Sequence, residues 1–261
     1  MSYRIAERYQ KVTPPAAYQA RENITTQERK SSLEKIHKIE KLNTFRCLPV
    51  FNSALFHRPS QAADISPMTS KFDQALARID NAHRQDPNMV TVNGAAVPYE
   101  LYYANKMTQH LEKRDPSASE ILRLAVRAQH LRRWEVPRSS YPMTRPGYFA
   151  WRTALKNRQA DIAKEICLDC GYDADEAGRV ASLVRKEDMK QDVECQALED
   201  VACLVFLDDQ FEKFEREHDE EKIVGILRKT WTKMSEKGHE LVSQIEMTDR
   251  AKGLLTKALS T

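Results

Sequence analysis

The sequence predicts a predominantly α-helical protein: one compact helical domain over residues 71–261, preceded by a poorly ordered N-terminal extension over residues 1–70. Three observations carry this reading. From Phe72 onward, apolar side chains recur at intervals of three and four, the spacing that lines one helical face. The chain has only seven glycines among 261 residues, and its balance of 41% hydrophobic to 30% charged residues suits helices with one apolar face. Residues 1–70 instead mix polar runs with Pro14-Pro15, one short helical pattern near Leu33, Ile36 and Ile39, and a brief apolar patch from Phe45 to Phe56.

The elements follow in order. Phe72, Ala75, Leu76 and Ile79 open the first helix, and Asp86-Pro87 ends its pattern. Val90 to Val97, with Asn93-Gly94 inside it, fits either a small hairpin or a loop before a helix over Tyr99 to Lys113. Ser117-Ala118-Ser119-Glu120 has capping-box spacing and opens a helix through Ile121, Leu124, Ala125, Ala128 and Leu131, which extends the Arg127, His130, Trp134 series along neighbouring faces. Three prolines between Val136 and Gly147 require a non-helical connection; Tyr148, Trp151 and Leu155 then begin a helix that Gly171 terminates. Asp173 to Glu176 caps the next. A long helix from about Gln191 to Glu217 contains Val201 to Leu207, apolar around its whole circumference and therefore enclosed on all sides. Shorter helices follow through Ile223 to Met234, Leu241 to Ile245 and Leu254 to Leu259.

No apolar run approaches the roughly 20 residues that cross a bilayer, so no membrane partner is expected. Five cysteines without regular spacing and without a secretory signal point to a reducing, cytoplasmic setting. Cys167 and Cys170 lack the second pair that a zinc site requires and read as helix-end cysteines. The net charge of +3 is segregated: residues 113–158 hold eleven basic and three acidic side chains, whereas residues 187–221 hold three basic and fourteen acidic ones. A basic half suits a polyanion, and an acidic half suits a cationic group, a metal or plain solvation. The two halves could equally pair with each other.

The enclosed segment is bracketed by Glu199-Asp200 and by Asp208-Asp209-Gln210-Phe211-Glu212. On a uniform α-helix Asp208, Asp209 and Glu212 share an arc of about 100°. Such crowding requires compensation, either from a ligand or from Lys213 and Arg216, each four residues beyond Asp209 and Glu212. There is no glycine-rich phosphate loop, dinucleotide fingerprint or Gly-x-Ser-x-Gly elbow, so chemistry driven by bound ATP or NAD is not expected, and a substrate must arrive already activated. No cofactor and no metal are expected, and no protein partner is inferable.

The run Arg127 to Arg138, then Tyr141-Pro142, Gly147-Tyr148 and Trp151-Arg152, and finally Gln196 to Leu207, resemble a widespread domain of unknown function over residues Phe72 to Leu259. Its fungal members have often been labelled glutamyl-tRNA synthetase-like, although neither class of synthetase ATP-binding motif is present here. The Asp-Asp-x-x-Glu motif further resembles that of a subset, the arginine-containing cyclodipeptide synthases. The resemblance implies that arginyl-tRNA and a second aminoacyl-tRNA are condensed into a cyclic dipeptide that begins a secondary metabolite. It places Asp208, Asp209 and Glu212 in the catalytic role. Glu199, Asp200, His130 and Trp134 become candidate substrate contacts, and Arg123, Arg127, Arg132, Arg133 and Arg138 become candidate tRNA contacts. Two other readings remain open: a metal-dependent phosphohydrolase or diphosphate-processing enzyme using the same acids, and a non-catalytic RNA-binding module.

Overall fold

A computed structural model describes residues 70–189 and 191–260. The expected N-terminal extension lies outside the described residues. The rest is predominantly helical, as the periodicity predicts, with one two-stranded hairpin. Helix α1 (Lys71–His83) is capped by Ser70, whose side chain accepts from the backbone N–H of Asp73. Strands β1 (Met89–Val92) and β2 (Ala95–Pro98) then pair antiparallel with Val92 opposite Ala95. Asn93 and Gly94 both adopt positive φ, 49° and 81°, the conformation that a two-residue hairpin turn demands, so the open choice resolves to a hairpin.

Helices α2 (Tyr99–Arg114), α3 (Glu120–Arg127), α4 (Arg145–Asp169), α5 (Ala174–Arg185) and α6 (Val193–Val205) pack with α1 around a first apolar core that includes Ile79, Met107, Leu122 and Leu198. A single π-helical turn, Phe206–Gln210, continues α6 into α7 (Phe211–Glu217). Helices α8 (Glu220–Lys233), α9 (Glu236–Val242) and α10 (Asp249–Leu259) build a second core on Leu204, Phe211, Ile223 and Leu254. The apolar end of α6 thus crosses from one core to the other. Val201, Leu204 and Val205 are wholly buried there, as their all-round apolar pattern requires. No described helix is long and apolar enough to cross a membrane.

The structure corrects three sequence expectations. First, the helix beginning at Glu120 stops at Arg127 and does not reach Leu131, and its cap is Ser119, which accepts from Leu122 N–H at 3.0 Å. Buried side chains take the backbone groups a longer helix would use. The Glu100 carboxylate accepts from the backbone N–H groups of Arg132 (2.9 Å) and Trp134 (3.0 Å), while His83 Nε2 donates to the Arg127 carbonyl at 2.9 Å. Arg127, His130 and Trp134 therefore do not share one helix. Second, the long helix from Gln191 to Glu217 is interrupted by the π turn. Third, the helix placed over Leu241 to Ile245 instead spans Glu236–Val242, because Ser235 is its N-cap and accepts from Gly238 N–H.

Candidate functional site

Tyr102, Lys106 and His110 lie at four-residue intervals on α2 and so form one stripe along it. That stripe faces the π turn. Asp208 Oδ2 accepts from Lys106 Nζ at 2.9 Å and meets His110 Nε2 at 3.1 Å, and Asp209 Oδ1 accepts from the Tyr102 hydroxyl at 2.7 Å. One residue on, Gln210 Nε2 donates to the Tyr99 hydroxyl at 3.0 Å. A π turn inserts one extra residue into each hydrogen-bonded ring, and such turns concentrate at functional positions because they redirect successive side chains. Here the turn brings two adjacent aspartates onto a single α2 stripe.

Lys106, Gln109, His110, Lys113 and Asp208 line a cleft of about 300 Å³, closed on its other side by Leu241, Gln244, Ile245 and Glu246. Burial pushes the Asp208 carboxyl up, but the hydrogen bonds from Lys106 and His110 outweigh it and hold the group below its ordinary range, as a carboxylate. For His110 burial wins over its bond to Asp208, and Lys113 and Lys106 add to the effect, so the imidazole is held neutral near pH 7. Burial and the adjacent Asp209 raise the Tyr102 phenol, which stays a hydrogen-bond donor. The site therefore combines an ionised acid, a neutral base that the acid orients, an ammonium and a phenol.

The acids are not compensated as the local-bridge expectation proposed. Among the described residues, Asp209 makes no ion pair with Lys213 and Glu212 makes none with Arg216; about 100 residues upstream, α2 instead gives Asp208 the Lys106 ammonium and Asp209 the Tyr102 hydroxyl. Glu212 is exposed on α7, one turn past the pair, and among the described residues it has no ion-pair partner. The common arc holds only for a uniform α-helix, which the π turn breaks. Tyr102, Lys106 and His110 escaped the sequence reading; their four-residue spacing was the available signal.

The other candidates divide. Glu199 pairs with Lys186 and, at 3.3 Å, with Lys233; burial raises its pKa but these ammonium groups more than reverse that and bring it to about 2. Asp200 is wholly buried. It accepts from Arg114 Nε (2.7 Å), Gln196 Nε2 (2.9 Å), and the backbone N–H (2.7 Å) and hydroxyl (2.6 Å) of Ser235, so it ties α2 and α6 to the start of α9 and does not face a substrate. Arg127 is likewise buried, clamped bidentately on Asp80 at 2.7 and 3.0 Å, an arrangement that removes it from any nucleic-acid surface. Arg123 donates to the carbonyls of Ala118 and Pro116, Arg138 to those of Tyr141, Pro142 and Thr144, and Arg132 to Gln85. Arg133 differs in that its side chain donates no hydrogen bond among the described residues; its guanidinium lies over Trp151, 4.6 Å from the ring centroid, with Arg138 farther from the same ring at 5.9 Å.

His130 stacks on Tyr103 with ring centroids 4.0 Å apart. His130 Nδ1 and Trp134 Nε1 are buried without a hydrogen-bond partner among the described residues. Neither side chain reaches the aspartate pair through a recorded contact. Cys167 and Cys170 sit at the end of α4 as buried free thiols, and burial raises Cys167 to about 11, which fits the helix-end reading.

No curated protein and no solved structure matches the chain. One family model does match, the domain of unknown function DUF4202, over residues 73–255, a span that takes in every helix from the third residue of α1 to the middle of α10. The helical domain that holds Asp208, Asp209 and the α2 stripe is therefore that family's domain, and the chain belongs to the DUF4202 family.

Proposed function

We propose that the protein is an arginine-containing cyclodipeptide synthase, which condenses arginyl-tRNA with a second aminoacyl-tRNA into a cyclic dipeptide. The carrying observation is the aspartate pair of the π turn. Asp208 Oδ1 and Asp209 Oδ2 accept no hydrogen bond among the described residues, while their companion oxygens are fixed by Lys106, His110 and Tyr102. Two carboxylates held in this way offer fixed acceptors to a planar guanidinium, whose forked donors pair with carboxylate oxygens.

In this reading His110 is the general base. The α-ammonium of one aminoacyl ester first loses its extra proton to solvent, and the resulting amine passes an N–H proton to the neutral imidazole as it attacks the ester carbonyl of the other. The C–O bond to the tRNA breaks, and the departing ribose oxygen takes the proton back. The remaining amine then attacks the second ester, closes the ring and releases the second tRNA. Ring closure requires a cis amide, disfavoured by about 2.5–4 kcal/mol outside proline, so the cleft must hold that geometry. The ester supplies the activation, in keeping with a chain that carries no nucleotide-binding loop. A metal-dependent diphosphate chemistry fits less well, because Asp208 Oδ2 already holds an ammonium and an imidazole.

The test is expression in a host that makes no such product, with mass spectrometry of the extract. An arginine-bearing cyclic dipeptide that disappears in Asp209→Asn supports the proposal. Absence of any new dipeptide from a host in which the folded protein accumulates contradicts it.

A further inference from the structure

The segment between α3 and the 3₁₀ turn Arg133–Glu135 is held in an unusual shape that the aspartate pair does not explain. Two of its non-glycine residues are left-handed, His130 at φ 64° and Arg132 at φ 52°, and Glu100 clamps the backbone from beneath. Conformations of this kind persist only where surrounding contacts enforce them, and they cluster at binding sites. Among the described residues, four buried side-chain nitrogens lack a hydrogen-bond partner: His130 Nδ1, Arg132 Nε, Trp134 Nε1 and Gln159 Nε2. Three of them are obligate donors, and the histidine nitrogen is a donor in one of its two tautomers. The deficit is thus one of acceptors, and three of the four atoms belong to this loop and the 3₁₀ turn that ends it.

The surroundings carry positive charge. Arg133, Lys186 and Arg152 all act on His130 and, together with burial, hold its imidazole neutral. Lys156 feels Lys186 and Arg152 in turn. Arg152, Lys156 and Gln159 lie within a narrow stripe of α4. The nearby acids are already engaged, Glu199 with Lys186 and Lys233, and Glu135 with Arg158 and Arg132. Arg133 has no carboxylate partner among the described residues; it rests on Trp151, an arrangement that leaves its in-plane N–H donors free.

We propose that the loop carrying His130, Arg133 and Trp134, with Arg152, Lys156 and Gln159 of α4, forms a binding pocket for a phosphate group. A phosphate brings several acceptor oxygens in a tetrahedral array, which suits donors arriving from a loop and from a helix beside it, whereas a planar carboxylate offers only two. The phosphate is either free or carried by a nucleotide, and its chemistry at this pocket is the same. This inference stands independently of the proposed peptide chemistry, because neither Asp208 nor Asp209 contributes to it.

Calorimetric titration of the full chain with inorganic phosphate tests it, with adenosine monophosphate and adenosine as the other arms. The expected result is saturable phosphate binding, weakened at least tenfold in Arg133→Gln and several-fold in Arg152→Gln. Arg152 is exposed, so its replacement leaves the fold intact even if Arg133→Gln does not. Tighter binding of adenosine monophosphate than of phosphate, with none of adenosine, identifies a nucleotide as the carrier; equal binding of the two phosphates identifies the free ion. Absence of saturable phosphate binding by the wild type, or affinities unchanged in both variants, overturns the pocket.

Discussion

Asp208 in the π turn and His110 on α2 are joined, carboxylate Oδ2 to imidazole Nε2 at 3.1 Å. This contact fixes the ring through Nε2, and in the proposed mechanism Nδ1 is the base. Because burial outweighs the carboxylate and keeps the imidazole pKa below 6.5, the base form is already dominant at neutral pH.

If the protein makes the proposed dipeptide, the rate of its formation is expected to rise with pH along an acid limb whose midpoint lies below 6.5. In His110→Gln that limb disappears and the rate falls by about 10²–10⁴-fold, the usual contribution of a positioned base. A pH–rate profile of the purified wild type and variant checks this. An unchanged acid limb in the variant assigns the base elsewhere.

Glu199 offers a stability test separate from catalysis. Its folded pKa of about 2 lies below the ordinary 4.5, so it contributes stability that is fully present above 4.5 and is lost as pH falls toward 2. A displacement of that size corresponds to about 3 kcal/mol. Urea unfolding of Glu199→Gln should show a deficit of that order at pH 6 that narrows as the pH approaches 2. A deficit independent of pH would mean that the lost side-chain packing, and not the ion pairs to Lys186 and Lys233, sets it.

Asp200 is expected to be a structural residue. Removing its carboxylate in Asp200→Ala strands the Arg114 guanidinium and the Ser235 cap, at a cost of about 3–5 kcal/mol. Gly238→Ala disturbs the same junction from the other side, since a Cβ there would stand 2.9 Å from the Asp200 carboxylate, and costs about 1–3 kcal/mol. Thermal unfolding of both variants measures these effects. An Asp200→Ala protein with wild-type stability but no activity would return this residue to the substrate contacts.

What could be read in the sequence and what could not follows from the range of the interactions involved. The helical class, the capping box at Asp173 and Glu176, and the burial of Val201 to Leu207 rest on local periodicity and local caps, which the chain displays directly. The early end of α3 depends on Glu100 and His83, residues 17 apart that meet beneath the loop, and no local signal announces it. Asp208 and Asp209 stood out as crowded acids beside an enclosed segment, but their partners lie about 100 residues upstream on α2. Glu212 shared their face only on an unbroken α-helix, and Phe206 to Gln210 carry no local signal that the helix widens there.

The proposed role of Asp208 and Asp209 is to hold the arginyl group for peptide bond formation. It is tested most directly with purified protein, arginyl-tRNA and a mixture of the other aminoacyl-tRNAs, by comparing wild type with Asp209→Asn for cyclic dipeptide by mass spectrometry and for fold by circular dichroism. The substitution keeps the shape and one acceptor but removes the charge a guanidinium requires. An arginine-containing cyclic dipeptide is expected from the wild type, with a loss of at least 100-fold in the variant and the helical signal unchanged. Equal product from both proteins would contradict it and reduce the aspartate pair to a structural tie between α2 and the π turn.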